Sequence, residues 1–172
     1  MKMKNTLLAL LVMFSGSTMA ENATLSVGWA MAHVSGESLN GVNIKGGYQS
    51  NGSKAGFISS LTFTAYDDSS TEYGTDVEVK ARYGSLLVGA SYDITSWLRP
   101  YAMIGGAIGR VEGTAAANGQ NYSVEERESA FAYGLGVQVY PTENLFVDLA
   151  YEGTKVFSTQ VNTFMIGAGW KF

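Results

Sequence analysis

The 172-residue chain predicts an all-β fold, an eight-stranded antiparallel transmembrane β-barrel of the outer-membrane type. Three observations predict it. Beyond residue 20 the sequence alternates apolar with small or polar residues at period two, as expected for strands with two unlike faces. No apolar run there approaches the roughly 18–20 residues of a membrane-spanning helix, and backbone in hydrocarbon must bond to itself, which leaves closed barrels. Glycine (21 residues) and aromatics (8 Phe, 3 Trp, 10 Tyr) are abundant, whereas proline occurs twice.

The first twenty residues stand apart from this pattern. Lys2 and Lys4 precede the apolar run Leu7–Phe14, and small residues lead up to Ala20. This order predicts a secretory signal peptide over 1–20, cleaved after Ala20, with the barrel domain over 21–172. The apolar run is too short for a membrane anchor. Without the two leader lysines, nine of the 11 basic residues face 15 acidic ones, a net charge of −6. That balance excludes nucleic acid as a partner, since binding phosphate backbones takes clustered Lys and Arg. The chain has no cysteine, so neither disulfides nor thiolate metal sites are available.

Eight segments follow in order. About Thr24–Ala32, Leu25, Val27, Trp29 and Met31 share a face; about Gly41–Gln49, Val42, Ile44 and Tyr48 do; about Ala55–Tyr66, Phe57, Leu61 and Phe63 do. The fourth, about Val77–Tyr92, changes phase between Val77, Val79, Ala81 and Leu86, Val88, Ala90. A bulge near Gly84–Ser85 would reconcile the two halves; otherwise the upper half stands outside the membrane. The fifth, Leu98–Val111, carries Gly105, Gly106 and Gly109, which would leave room for large neighbours in a narrow lumen. The last three are the most regular: Phe131–Val139, Leu145–Glu152 and Thr163–Phe172, the last with Phe164, Ile166, Ala168, Trp170 and Phe172 on one face. A soluble sandwich or lipocalin-like barrel also alternates, but it turns charged residues outward. Here the second face is mostly Gly, Ala, Ser and Thr, which suits a cramped eight-stranded interior. Links near 50–54, 93–96 and 141–144 are short, and those near 33–40, 67–76, 112–128 and 153–159 are mostly longer and more polar. This alternation fits periplasmic turns and extracellular loops.

Three stretches carry a resemblance to a known family: LRPYAMIGGA at 98–107, FAYGLGVQVYPTENLFVDLAYEG at 131–153 and FMIGAGWKF at 164–172. They resemble the Ail/Lom/OmpX/PagC family of enterobacterial eight-stranded outer-membrane proteins, nearest Lom and Ail. The resemblance implies an outer-membrane location with extracellular loops that serve host-cell attachment, invasion or resistance to complement. It fades in the first three long loops, so no family binding residue maps onto this chain. At 89–93 the sequence reads Gly-Ala-Ser-Tyr-Asp where the family usually has Gly-Pro-Ala-Tyr-Arg, so Asp93 stands in place of a basic residue.

Candidate sites are few. Lys45, Gln49, Gln138, Asp148 and Glu152 are expected to face inward, as a hydrogen-bonded plug in preference to an aqueous pore; a buried charge needs a partner, so Lys45 should meet an acid. Lys80, Arg82, Arg110 and Lys155 are expected at the outer rim, where lipopolysaccharide phosphates are one partner and plain solvent the alternative. Tyr66, Tyr73 and Tyr122 lie in or beside loops two and three, as recognition residues or interfacial aromatics. Trp29, Trp97, Trp170 and Phe172 read as interfacial, and Trp170 with Phe172 resembles the C-terminal motif read by the outer-membrane assembly machinery. His33 with Ser35 is a candidate for a lipid A-modifying enzyme, but no third catalytic group accompanies them. The glycines at 105–109 precede no helix, so they make no nucleotide loop, and no spacing fits a metal or cofactor. The remaining reading is an envelope-maintenance protein. The chain is expected to be monomeric.

Overall fold

The computed structural model describes residues 22–34, 37–72, 75–117 and 120–172; at 37, 67–72, 75–79, 113–117 and 120–125 it describes the backbone alone. The expected signal peptide, together with Ser35 and Tyr73, lies outside these residues, as does the side chain of Tyr122. Eight strands, β1 (Ala23–Val34), β2 (Glu37–Gln49), β3 (Ala55–Glu72), β4 (Thr75–Tyr92), β5 (Leu98–Ala117), β6 (Gln120–Val139), β7 (Leu145–Val156) and β8 (Thr159–Lys171), form a closed barrel in sequence order. Every pairing is antiparallel, and β8 returns to β1 through a register running from Thr24↔Lys171 to Val34↔Val161. Phe172 completes this seam: its N–H donates to Ala23 O (2.9 Å) and its carbonyl accepts from Asn22 N–H (2.8 Å).

Across the membrane-facing stretches the alternation follows the sequence-based expectation. Val27 and Trp29 on β1, Phe57 and Phe63 on β3, and Phe164 and Ile166 on β8 are each at least half exposed on the exterior, while Ser26, Lys45, Ser60, Thr62 and Thr163 are buried within. Apolar side chains outside and polar ones inside reverse the soluble arrangement and match strands immersed in hydrocarbon. Three five-residue turns close one end, at 50–54, 93–97 and 140–144. Gly52 (φ 76°) holds a left-handed conformation that costs glycine little, and Thr142 Oγ1 caps the third turn by accepting from Leu145 N–H (3.0 Å).

Three expectations need correction. The β3–β4 and β4–β5 registers run without interruption through Gly84 and Ser85, so there is no bulge; the phase change marks where β4 leaves the membrane. The stretches 67–76 and 112–128 are mostly not loops: β3 and β4 each have 18 residues and β5 and β6 each have 20. β7 and β8 likewise turn on Phe157 and Ser158, both at positive φ, with Glu128 accepting from Phe157 N–H (2.5 Å). Gly106 faces outward, on the exposed side of β5. The room inside is made at other glycines as well. A Cβ at Gly136 would lie 2.2 Å from the Tyr101 ring, and one at Gly169 2.3 Å from Phe146. The lumen also holds an apolar layer that includes Ile58, Leu87, Met103 and Val161, which fills the space that eight strands enclose.

Candidate functional site

The lumen is occupied by two polar clusters. In the first, Lys45 on β2 reaches across to Asp148 on β7 (Nζ–Oδ1 2.6 Å), with the two side chains 3% and 1% exposed. Asp148 also accepts from Tyr101 O–H (2.9 Å to Oδ1) and Gln138 Nε2 (3.3 Å). The acid that the buried lysine demanded is therefore present. In the second cluster, Glu152 accepts from the hydroxyls of Tyr83, Ser85 (2.9 Å) and Thr62 (3.4 Å), and Thr62 in turn accepts from Asn43 Nδ2 (2.9 Å). All five inward polar residues expected from sequence are nine-tenths or more buried. They form a plug.

A third group seals the turn end. Arg99 donates to Asp93 (Nε–Oδ1 2.5 Å) and to Gln49 Oε1 (2.5 Å), and Gln49 Nε2 donates to Asp93 Oδ2 (2.7 Å). Asp93 thus finds its partner six residues on, in Arg99. Burial alone would raise the Asp93 carboxyl, but the hydrogen bonds from Arg99 and Gln49 outweigh it and hold it below the ordinary carboxylate range. A depressed folded value means that this stability is present above the unfolded value and disappears as pH falls through the folded one. Urea unfolding in lipid vesicles should therefore show a midpoint that drops on acidification, with a smaller drop in Asp93→Asn. An identical acid dependence in the two proteins would remove Asp93 from the account.

At the opposite end the predicted rim residues separate. The β4–β5 and β5–β6 registers set Arg82 opposite Arg110 and Arg110 opposite Arg127, in one row across three strands. Arg127 went unrecognised because polar residues 112–128 show no alternation once both faces are wet. Lys80 is one outward step further, opposite Glu112, and Lys155 lies on β7 opposite Gln160. Tyr66 is half-buried and packs against the buried cluster. Trp29, Trp97, Trp170 and Phe172 are all exposed, the last three at the turn end. His33 lies on the exterior beside the Phe164 ring (centroids 6.4 Å apart). Among the described residues no group of three His, Cys, Asp or Glu side chains is arranged to hold a metal.

Four long strands also give the wall an uneven rim. The β2–β3 ladder stops at Asn40↔Ala65 and the β6–β7 ladder at Ala132↔Thr154, whereas β3–β4, β4–β5 and β5–β6 remain paired to Glu72↔Thr75, Asp76↔Ala116 and Ala117↔Gln120. A four-stranded sheet therefore projects past the rest of the barrel. Among the described residues, the outer edges of β3 beyond Ala65 and of β6 before Ala132 have no ladder partner.

An antiparallel barrel that is apolar outside, plugged inside and aromatic at its turn end is an integral outer-membrane protein. The chain matches the outer membrane protein beta-barrel domain over residues 6–172 and belongs to that family. It is 34% identical to the virulence membrane protein PagC of Salmonella typhimurium, covering 99% of this chain and all of that one. It is 29% identical to outer membrane protein X of Enterobacter cloacae, over 98% and 96% of the two chains. The crystal structure of Ail, the attachment invasion locus protein of Yersinia pestis, in complex with the heparin analogue sucrose octasulfate, superposes with a TM-score of 0.77 at 26% identity, over 88% of this chain and 99% of that one.

Proposed function

We propose that the chain is a surface adhesin whose projecting sheet engages the host cell, with matrix and complement proteins as further partners. The single observation that carries this reading is the sheet itself. Natural proteins normally cover or shorten strand edges, and here, among the described residues, the β2–β3 ladder ends at Asn40↔Ala65 and the β6–β7 ladder at Ala132↔Thr154 while β3 and β6 run on. An open edge offers backbone donors and acceptors to an extended partner. The likeness to an attachment invasion protein supports the same reading, and its complex with a heparin analogue makes sulphated glycans the first ligand class to try. Lipopolysaccharide phosphates are the partner in the membrane itself, met by Arg82 and Arg110.

Attachment should be lost when 67–76 and 112–128 are shortened to tight turns at the rim, with the barrel still inserted. Binding of expressing cells to epithelial monolayers and immobilised heparin measures it, and undiminished binding would sink the proposal. Catalysis has no such support. His33→Ala is expected to leave the lipid A mass spectrum of expressing cells unchanged, and a shifted spectrum would revive the enzyme reading.

A further inference from the structure

The projecting sheet has two unlike faces, and their polarity reverses that of the membrane wall beneath them. On the outer face the arginine row is answered by the next row, in which Asp67, Lys80, Glu112 and Glu125 stand opposite one another. Arg110 Nε lies 2.7 Å from Glu112, and Arg110 and Lys80 have further partners. The outer face is a mixed, charge-balanced surface suited to water.

The inner face, which continues the lumen side of the same strands, is built differently. Tyr66, Ala81, Val111 and Glu126 stand opposite one another across β3 to β6. The alternation that buries Tyr83 and Ala107 in the lumen puts Ala81 and Val111 on this side. Val111 is 40% exposed and Glu126 is exposed, so the row stands in the open. One outward step further, the register sets Val79, Gly113 and Val124 in line with Asp68. The basic residues of 66–82 and 110–128 are Lys80, Arg82, Arg110 and Arg127, and all alternate onto the outer face. The inner face therefore combines apolar residues with carboxylates and has no cation of its own.

The β7–β8 turn closes this face from below. Glu128 accepts from Phe157 N–H (2.5 Å), and the half-buried Phe157 packs against the lumen cluster. A Cβ at Gly109 would lie 2.6 Å from Val156 Cγ1 and 3.4 Å from Phe157 Cε2. The hairpin tip thus leans across the mouth into the notch that Gly109 leaves on β5. Sheet and tip together make a cup, with Tyr66, Ala81 and Val111 as its wall and Phe157 as its floor.

Apolar surface left in water marks a contact site, and charge of one sign selects the partner that complements it. We infer that the cup docks a segment of a partner protein that is apolar on one side and cationic beside it. Its Lys or Arg side chains pair with Glu126, and its apolar side chains cover Val111, Tyr66 and Phe157. A sulphated glycan or an acidic segment meets like charge on this face. Pairing along a strand edge would not need the face at all. The inference rests on the reading of the projecting sheet as the adhesive surface and names the chemistry of its protein partner.

The test uses the folded barrel in phosphatidylcholine nanodiscs, titrated with a short fluorescent peptide that alternates lysine with valine; empty nanodiscs give the blank. Val111→Lys/Glu126→Lys should weaken binding about tenfold or more, because it sets like charge in the cup. Arg82→Gln/Arg127→Gln, on the outer face, should leave binding unchanged. Glu126→Lys should gain affinity for the peptide with glutamate in place of lysine, a result that a misfolded barrel cannot produce. Peptides alternating lysine with serine, or threonine with valine, should bind about tenfold more weakly than the lysine–valine peptide. Undiminished binding by Val111→Lys/Glu126→Lys would overturn the cup. So would equal binding of the lysine–serine peptide, which needs charge alone, or of the threonine–valine peptide, which pairs along a strand edge. Peptide binding is read on the purified barrel and attachment on cells, so failure of the cup is distinguishable from failure of the adhesive sheet.

Discussion

Asp148→Ala should destabilise the barrel by about 3–5 kcal/mol, the range for leaving one member of a buried ion pair without its partner. The expectation follows from what remains. Lys45 is 3% exposed and has Asp148 as its ion-pair partner among the described residues; the Tyr101 ring, 5.9 Å away, is a weak substitute. The reciprocal change is gentler. In Lys45→Met the carboxylate of Asp148 keeps its hydrogen bonds from Tyr101 and Gln138, so the loss should be smaller. Lys45→Met/Asp148→Leu removes both charges together and should unfold close to the parent protein, because an apolar pair of similar volume often replaces a buried ion pair without loss. Urea titration in phospholipid vesicles orders the three variants. If the double variant proves as unstable as Asp148→Ala, the loss comes from packing and not from an orphaned charge.

Deleting Phe172 should lower the amount of folded protein at the cell surface severalfold. Part of the effect is thermodynamic: the residue closes the seam through two backbone hydrogen bonds, to Asn22 and Ala23, worth about 0.5–1.5 kcal/mol each. The larger part is expected in assembly, where the terminal alternation ending in Trp170 and Phe172 is the candidate motif for the insertion machinery. Refolding into lipid vesicles without that machinery separates the two. Deletion should impair refolding in vesicles only slightly and surface display in cells strongly, and Phe172→Tyr should restore display. Normal display of the deleted form would end the assembly role of this residue.

The membrane-embedded part of the fold was legible because hydrocarbon outside and polar groups inside impose opposite demands on alternate residues. That made Lys45, Gln49, Gln138, Asp148 and Glu152 recognisable as interior. Which acid Lys45 meets was not legible, since β2 and β7 are brought together by barrel closure and the two residues are 103 positions apart in the chain. Above the rim the demand lapses and so does the pattern. Residues 112–128 read as a loop although they complete two strands, and Arg127 was hidden with them. On β4 the same transition looked like a bulge: Tyr83 is buried while Leu86 is 59% exposed, in one unbroken register. Gly106 could not be assigned to a face by composition, because glycine satisfies both.

The plug has a consequence for how the barrel knows that it is correctly joined. Its partnerships link remote strands, Lys45 with Asp148 across 103 residues and Thr62 with Glu152 across 90. A slip of one residue at any ladder would turn a strand's polar face into lipid, and a slip of two would keep the faces but part the lysine from its acid. The apolar exterior penalises the first error and is blind to the second. The specific partnerships inside detect it, so the lumen acts as a checksum on closure.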